Sequence, residues 1–197
     1  IDLEKVSNIC QKYNALLHSD TVQTIGHYNF DLNKVKIDFL TCSAHKFHGP
    51  KGVGFLYINK DINITPLIHG GSQERDMRAG TECVYGILGL AKAMEVAYRN
   101  LDSHRNHIEN LKKHMIMKIK KELPIASFNG LCVDLNKSLY TVLSLSFPKD
   151  DYGSLLVFNL DLLGVSCSGG SACSSGSQTQ SHVITNIKTQ EGPVVRF

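Results

Sequence analysis

One lysine constrains this chain more than any other residue. Lys46 sits between His45 and His48, shortly after a run, Val35-Lys36-Ile37-Asp38-Phe39-Leu40-Thr41-Cys42, that reads as a buried strand. A Gly49-Pro50-Lys51-Gly52 turn follows. Lysine is poorly suited to burial unless it is paired or takes part in chemistry. One chemistry that requires it is a Schiff base, in which the amine gives up its charge and joins a carbonyl covalently. The competing reading is a basic turn on the surface. The segment Ser43–Gly52 alone does not choose between them.

The flanking sequence sets the architecture. Apolar positions Val6, Ile9, Cys10, Tyr13, Leu16 and Leu17 give helical spacing over Leu3–Leu17. A short strand from His18 runs into a loop at Gln23, and Gly54–Ile58 reads as a further strand. Gly70–Glu82 is a polar, glycine-punctuated loop. A helix over Tyr85–Tyr98, with Ile87, Leu90, Ala91, Met94 and Ala97 on its apolar side, precedes a second from Asp102 to Leu123 that Pro124 stops. The lysines of that second helix, Lys112, Lys113, Lys118, Lys120 and Lys121, read as a solvated face. Strands are expected at Ser127–Asn129, Thr141–Phe147 and Val194–Phe197, and a helix at Tyr152–Leu163. Val165–Gly176, rich in small residues, reads as a mobile loop. This order predicts an α/β fold with ligand-binding residues at strand ends. A domain boundary is expected near Leu101, giving domains 1–100 and 101–197.

Composition narrows the function classes. The 197 residues carry a formal charge of +3, which does not point to nucleic acid, and no apolar run is long enough to span a membrane. The polar N-terminal helix gives no sign of a signal peptide, so a cytoplasmic location is the expectation. Six cysteines are present without a Cys-x-x-Cys pair, so neither a disulfide scaffold nor a structural zinc site is favoured. Most of them read as small buried apolar residues. Cys173 differs, because its glycine- and serine-rich surroundings offer no packing role.

Five stretches occur in a particular order: Asp20-x-x-Gln23, Ser43-Ala44-His45-Lys46, Arg78-Ala79-Gly80-Thr81-Glu82, Gly169-Gly170-Ser171-Ala172-Cys173 and Val195-Arg196-Phe197. Together they resemble the successive signatures of the NifS/IscS-like cysteine desulfurases, pyridoxal-phosphate enzymes of the class V aminotransferase family. The resemblance runs over essentially the whole chain. It implies part of a fold type I pyridoxal-phosphate large domain followed by most of a smaller α/β domain.

The resemblance also implies roles, each compatible with the side chain's chemistry. Lys46 would hold pyridoxal 5'-phosphate as an imine and move protons at the substrate Cα, which suits a desolvated amine with a lowered pKa. Asp20 would keep the pyridine nitrogen protonated, and Gln23 would bond the ring oxygen. Ser43 and His45 would donate to the phosphate. Thr81 would reach the cofactor phosphate of a neighbouring subunit, making the enzyme a homodimer. Arg196 would clamp the substrate carboxylate bidentately. Cys173 would take sulfur from L-cysteine as a persulfide, leaving L-alanine, and deliver it to a sulfur acceptor or iron–sulfur scaffold protein. No metal is implied.

The bland readings differ by residue. Asp20 could be a turn residue, Gln23 a solvated side chain, Arg196 a surface residue and Cys167 a structural thiol, while Thr81 or a neighbour could cap the following helix. The family pattern contains further segments on both sides. The missing part would hold an aromatic residue stacked on the pyridine ring, an asparagine for the substrate carboxylate and a phosphate-binding turn. The abrupt final strand suggests a cut chain, and this piece alone is expected to be inactive. Thr21, Cys83 and Ser177–Gln180 depart from the usual pattern. A selenocysteine lyase or another class V enzyme, a non-catalytic relative, and a metal or redox module on Cys167, Cys173 and His182 stay open as alternatives.

Overall fold

The computed structural model describes residues 1–149, 155–169, 182–187 and 190–197. They form two units, Ile1–Asp102 and Ser103–Phe197.

In the first unit, α1 (Leu3–Lys12) begins at Asp2, whose carboxylate accepts the Lys5 N–H at 3.1 Å. The expected helix to Leu17 stops early. Asn14 adopts φ 50°, a left-handed conformation that asparagine tolerates, and the Ala15 N–H turns back to the Cys10 carbonyl. Three strands follow: β1 (His18–Asp20), β2 (Phe39–Ser43) and β3 (Gly54–Ile58). β1 and β2 are parallel, and β3 returns antiparallel to β2. β2 is shorter than the apolar run suggested. Before Phe39 the chain is held instead by Asp38, whose Oδ2 accepts the Leu17 N–H at 2.8 Å and whose own N–H reaches the Leu17 carbonyl.

Two apolar clusters brace this sheet. Leu17, Ile37 and Leu40 pack with Leu3, Val6 and Cys10 of α1. Ile25, Cys42, Ala44, Phe47 and Ala97 form the other cluster, joined by Leu90, Ala93 and Met94 of α2 (Val84–Arg99). The buried stripe of α2 is rotated from the expected one. Ala93 packs inward while Ile87 and Ala91 are exposed.

The second unit starts within α3 (Leu101–Glu122) and contains β4 (Ser127–Phe128), β5 (Ser144–Ser146), α4 (Leu156–Leu162), α5 (His182–Ile187) and β6 (Val194–Arg196). Its strands run in the order β4-β5-β6, all antiparallel. Ile116 and Ile119 of α3 pack on Cys132, Leu143 and Leu145. Helix α5 is not among the elements that the residue pattern predicts. Lys112 corrects another expectation. It is buried rather than solvated, and its Nζ donates to the Leu139 carbonyl at 2.8 Å and to Ser138 Oγ at 3.2 Å. Among the described residues, no helix is long and apolar enough to cross a membrane.

Candidate active site

Parallel pairing decides where the polar residues meet. Because β1 and β2 run the same way, with Asp20 in register with Thr41, both strands end at one edge of the sheet. Thr21 fastens that edge: its N–H and its Oγ1 both donate to the Thr41 carbonyl, at 3.1 and 2.7 Å. Asp20 is exposed there. Its Oδ1 accepts the Val22 N–H at 3.0 Å, so the turn role foreseen for this residue is real, and the carboxylate still faces solvent. Gln23 is exposed in the same turn.

At the end of β2 the chain enters a single 3₁₀ turn, Ala44–Phe47. Ala44 and Phe47 are 0% and 2% exposed, locked in the core. The two residues between them must therefore point away from it, which leaves His45 exposed and Lys46 half-buried. Ser43 precedes the turn in extended conformation and its hydroxyl makes no capping bond, so it remains available as a donor. The turn closes through His48 at φ 68° and a Gly49 N–H bond to the Ala44 carbonyl at 2.9 Å. Burial pushes the thiol of Cys42, on the core side of β2, up to about 11.

Two contacts that no motif announced hold this turn from the side. Gly26 has φ +81°, and a Cβ placed on it would lie 2.7 Å from the Phe47 Cβ. The next residue, His27, places its ring Nε2 3.3 Å from the Lys46 carbonyl oxygen.

Thr81 is exposed in the segment leading into α2. It does not cap that helix. The cap position is Cys83, with no side-chain capping bond, and Cys83 is exposed rather than buried. A hydrogen bond from the neighbouring Tyr85 phenol to Cys83 raises the phenol's pKa. Gly89 of α2 lies so close to Pro50, in the turn after Lys46, that an added Cβ would sit 2.5 Å from the proline ring.

Arg196 belongs to the second unit. It ends β6 opposite Ser144, and on its other side it exchanges two backbone bonds with Ser168. The Ser168 N–H reaches the Arg196 carbonyl at 3.0 Å, and the Arg196 N–H reaches the Ser168 carbonyl at 2.7 Å. The start of the expected loop is therefore strand-like at Ser168. Cys167 is a half-buried free thiol. Cys173 lies outside the described residues.

The chain as a whole is similar to known proteins. The class-V aminotransferase family model matches residues 1–196. The chain belongs to the class-V aminotransferase family. Within that family it is 42% identical over 185 residues to the cysteine desulfurase IscS of Dictyoglomus turgidum, covering 94% of this chain and 46% of that protein. It is 39% identical over 189 residues to the putative cysteine desulfurase IscS 1 of Bacillus subtilis, covering 96% of this chain and 49% of that one. A solved NifS-like protein superposes with a TM-score of 0.80 at 38% identity, over 100% of this chain and 50% of the other. A second, from Rickettsia africae, gives a TM-score of 0.81 at 28% identity, over 100% and 51%. The chain thus has the fold type I architecture and spans about half the length of the curated relatives it matches.

The class-V cofactor is pyridoxal phosphate, and the residues at the sheet edge suit it. An amine, a carboxylate, a hydroxyl free of capping duty and an exposed imidazole lie at the carboxyl ends of two adjacent parallel strands. Among the described residues, no group of three or more His, Cys, Asp or Glu side chains is arranged to hold a metal ion.

Proposed function

We propose that the full-length protein is a pyridoxal-phosphate-dependent cysteine desulfurase, converting L-cysteine to L-alanine and leaving the sulfur on Cys173. The observation that carries this reading is the placement of Ser43 at the end of β2, and of His45 and Lys46 on the turn that follows, at the same sheet end as Asp20 of β1. The names of the relatives support the reaction class.

When bound, the cofactor supplies an electron sink for the substrate's Cα–H bond electrons. Lys46, half-buried on its turn, would hold the cofactor and move a proton at the substrate Cα. Asp20 keeps a proton on the pyridine nitrogen through its carboxylate charge. Ser43 Oγ and the His45 ring donate to the phosphate, and Gln23 donates to the ring oxygen. Arg196 pairs with the substrate carboxylate, which fixes the direction of the Cα–H bond. The Cys173 thiolate attacks the substrate sulfur. The sulfur–Cβ bond breaks, its electron pair stays with carbon, and a proton completes alanine. Cys173 is left carrying the transferred sulfur, which a sulfur acceptor such as an iron–sulfur scaffold protein then removes. The reading includes a cytoplasmic homodimer in which Thr81 serves the partner's cofactor phosphate.

The test uses the full-length protein. Its visible spectrum with pyridoxal phosphate should show a band that borohydride fixes to Lys46 and that Lys46→Ala removes. An unchanged band in Lys46→Ala would overturn the assignment. L-cysteine should give one alanine and one persulfide per turnover, and Cys173→Ser should stop both. Turnover of selenocysteine with little turnover of cysteine would move the protein to the lyase class.

A further inference from the structure

We infer that His27 is a positioning residue for Lys46. This rests on the reading of Lys46 as the cofactor anchor. The carbonyl of Lys46 can only accept a hydrogen bond, so the Nε2 at 3.3 Å must be the donor. That contact fixes the imidazole as the Nε2–H form when it is neutral. The backbone is gripped on both sides of the lysine's peptide unit: His27 holds the carbonyl of Lys46, and the Phe47 side chain, 2% exposed, is held against Gly26. The grip comes from consecutive residues, Gly26 and His27. The φ of +81° at Gly26 turns the chain toward the lysine turn and leaves no Cβ to hold it away.

The consequence lies in what is fixed and what is not. Lys46 has to hold a cofactor and move a proton at another atom. A four-carbon side chain can do both if its Cα stays still while its amine swings. The 3₁₀ turn alone is a weak support, because a single short turn has poor hydrogen-bond geometry. His27 supplies the lateral hydrogen bond that the turn lacks. The ring is half-buried and lies 19 positions away in sequence, so the bond exists only in the folded chain.

The test compares wild type, His27→Ala and His27→Gln in the full-length protein. Glutamine keeps an N–H donor at nearly the same reach. In the apoprotein, amide exchange at Phe47 and His48 should quicken about fivefold in His27→Ala, the order expected for one lost hydrogen bond, and return in His27→Gln. The Leu40 amide, inside the sheet, should not change. In the loaded enzyme, kcat should fall in His27→Ala with KM little changed, and recover in His27→Gln. Equal loss in both variants, or unchanged exchange at Phe47 and His48, would overturn the inference. A wild-type measurement needs no variant to fold: nitrogen NMR should find neutral His27 as the Nε2–H tautomer, and an Nδ1–H tautomer would overturn it. The exchange and tautomer readouts need no cofactor, so they remain decisive if Lys46 proves not to bind one.

Discussion

Lys46 and Lys112 are held in opposite ways. At Lys46 the protein grips the main chain: Ala44 and Phe47 are in the core, His27 meets the carbonyl, and the side chain is only half-buried. At Lys112 it grips the amine: Nζ is fastened to Leu139 and Ser138, and the residue is buried among the groups under α3. The first arrangement leaves an amine able to react. The second consumes the amine's donors and makes it a tie between helix and loop. A lysine's burial is therefore a poor guide to chemistry in this molecule. Which atoms are restrained is the better one.

Removing the Lys46 amine should have the largest effect. Lys46→Ala in the full-length protein should lower alanine production by about 10³-fold or more while leaving the unfolding midpoint near wild type. A large loss of stability would mean that this lysine resembles Lys112 after all. Gly26→Ala attacks the grip on the main chain. The added methyl meets Phe47 and the residue must keep a positive φ, so a loss of roughly 2–4 kcal/mol is expected in urea denaturation.

Lys112→Met keeps the stem but leaves the Leu139 carbonyl without its donor. It should cost about 1–3 kcal/mol with no change in the cofactor spectrum. Its pH dependence gives a sharper test. Burial lowers the Lys112 pKa from its ordinary 10.5. The folded state then releases its proton before the unfolded state does. The penalty for burying the charge is full at neutral pH and is relieved as pH rises through the window just below 10.5. Wild type should gain stability over that window relative to Lys112→Met.

The smallest effect concerns the thiol behind the lysine turn. With the Cys42 pKa raised to about 11, its contribution is complete below pH 9 and fades as pH climbs toward that value. At pH 8, iodoacetamide should label exposed Cys83 and spare Cys42 and Cys132 in the native protein, as read by mass spectrometry.

Much of this was legible in the residues. Gly54–Ile58 is a strand as expected, α2 and α3 span nearly the residues expected of them, and the motif residues from Asp20 to Lys46 sit at or just beyond strand ends. The extent of β2 was less legible. Its apolar run continues back to Val35, but a strand ends where its partner does, and β1 begins at His18. Helix α5 is not legible in the sequence because six residues carry little periodicity. Spacing makes the lysine face of α3 look uniformly solvated, because it reports a helix's faces without saying which loop covers them.

The sequence by itself determined the family, since ordered motifs along the whole chain do not depend on geometry to be recognised. Only the tertiary structure decided how the amine is held. The His27–Lys46 and Lys112–Leu139 bonds join residues 19 and 27 positions apart, and no local pattern encodes a contact that parallel strand pairing or helix packing creates.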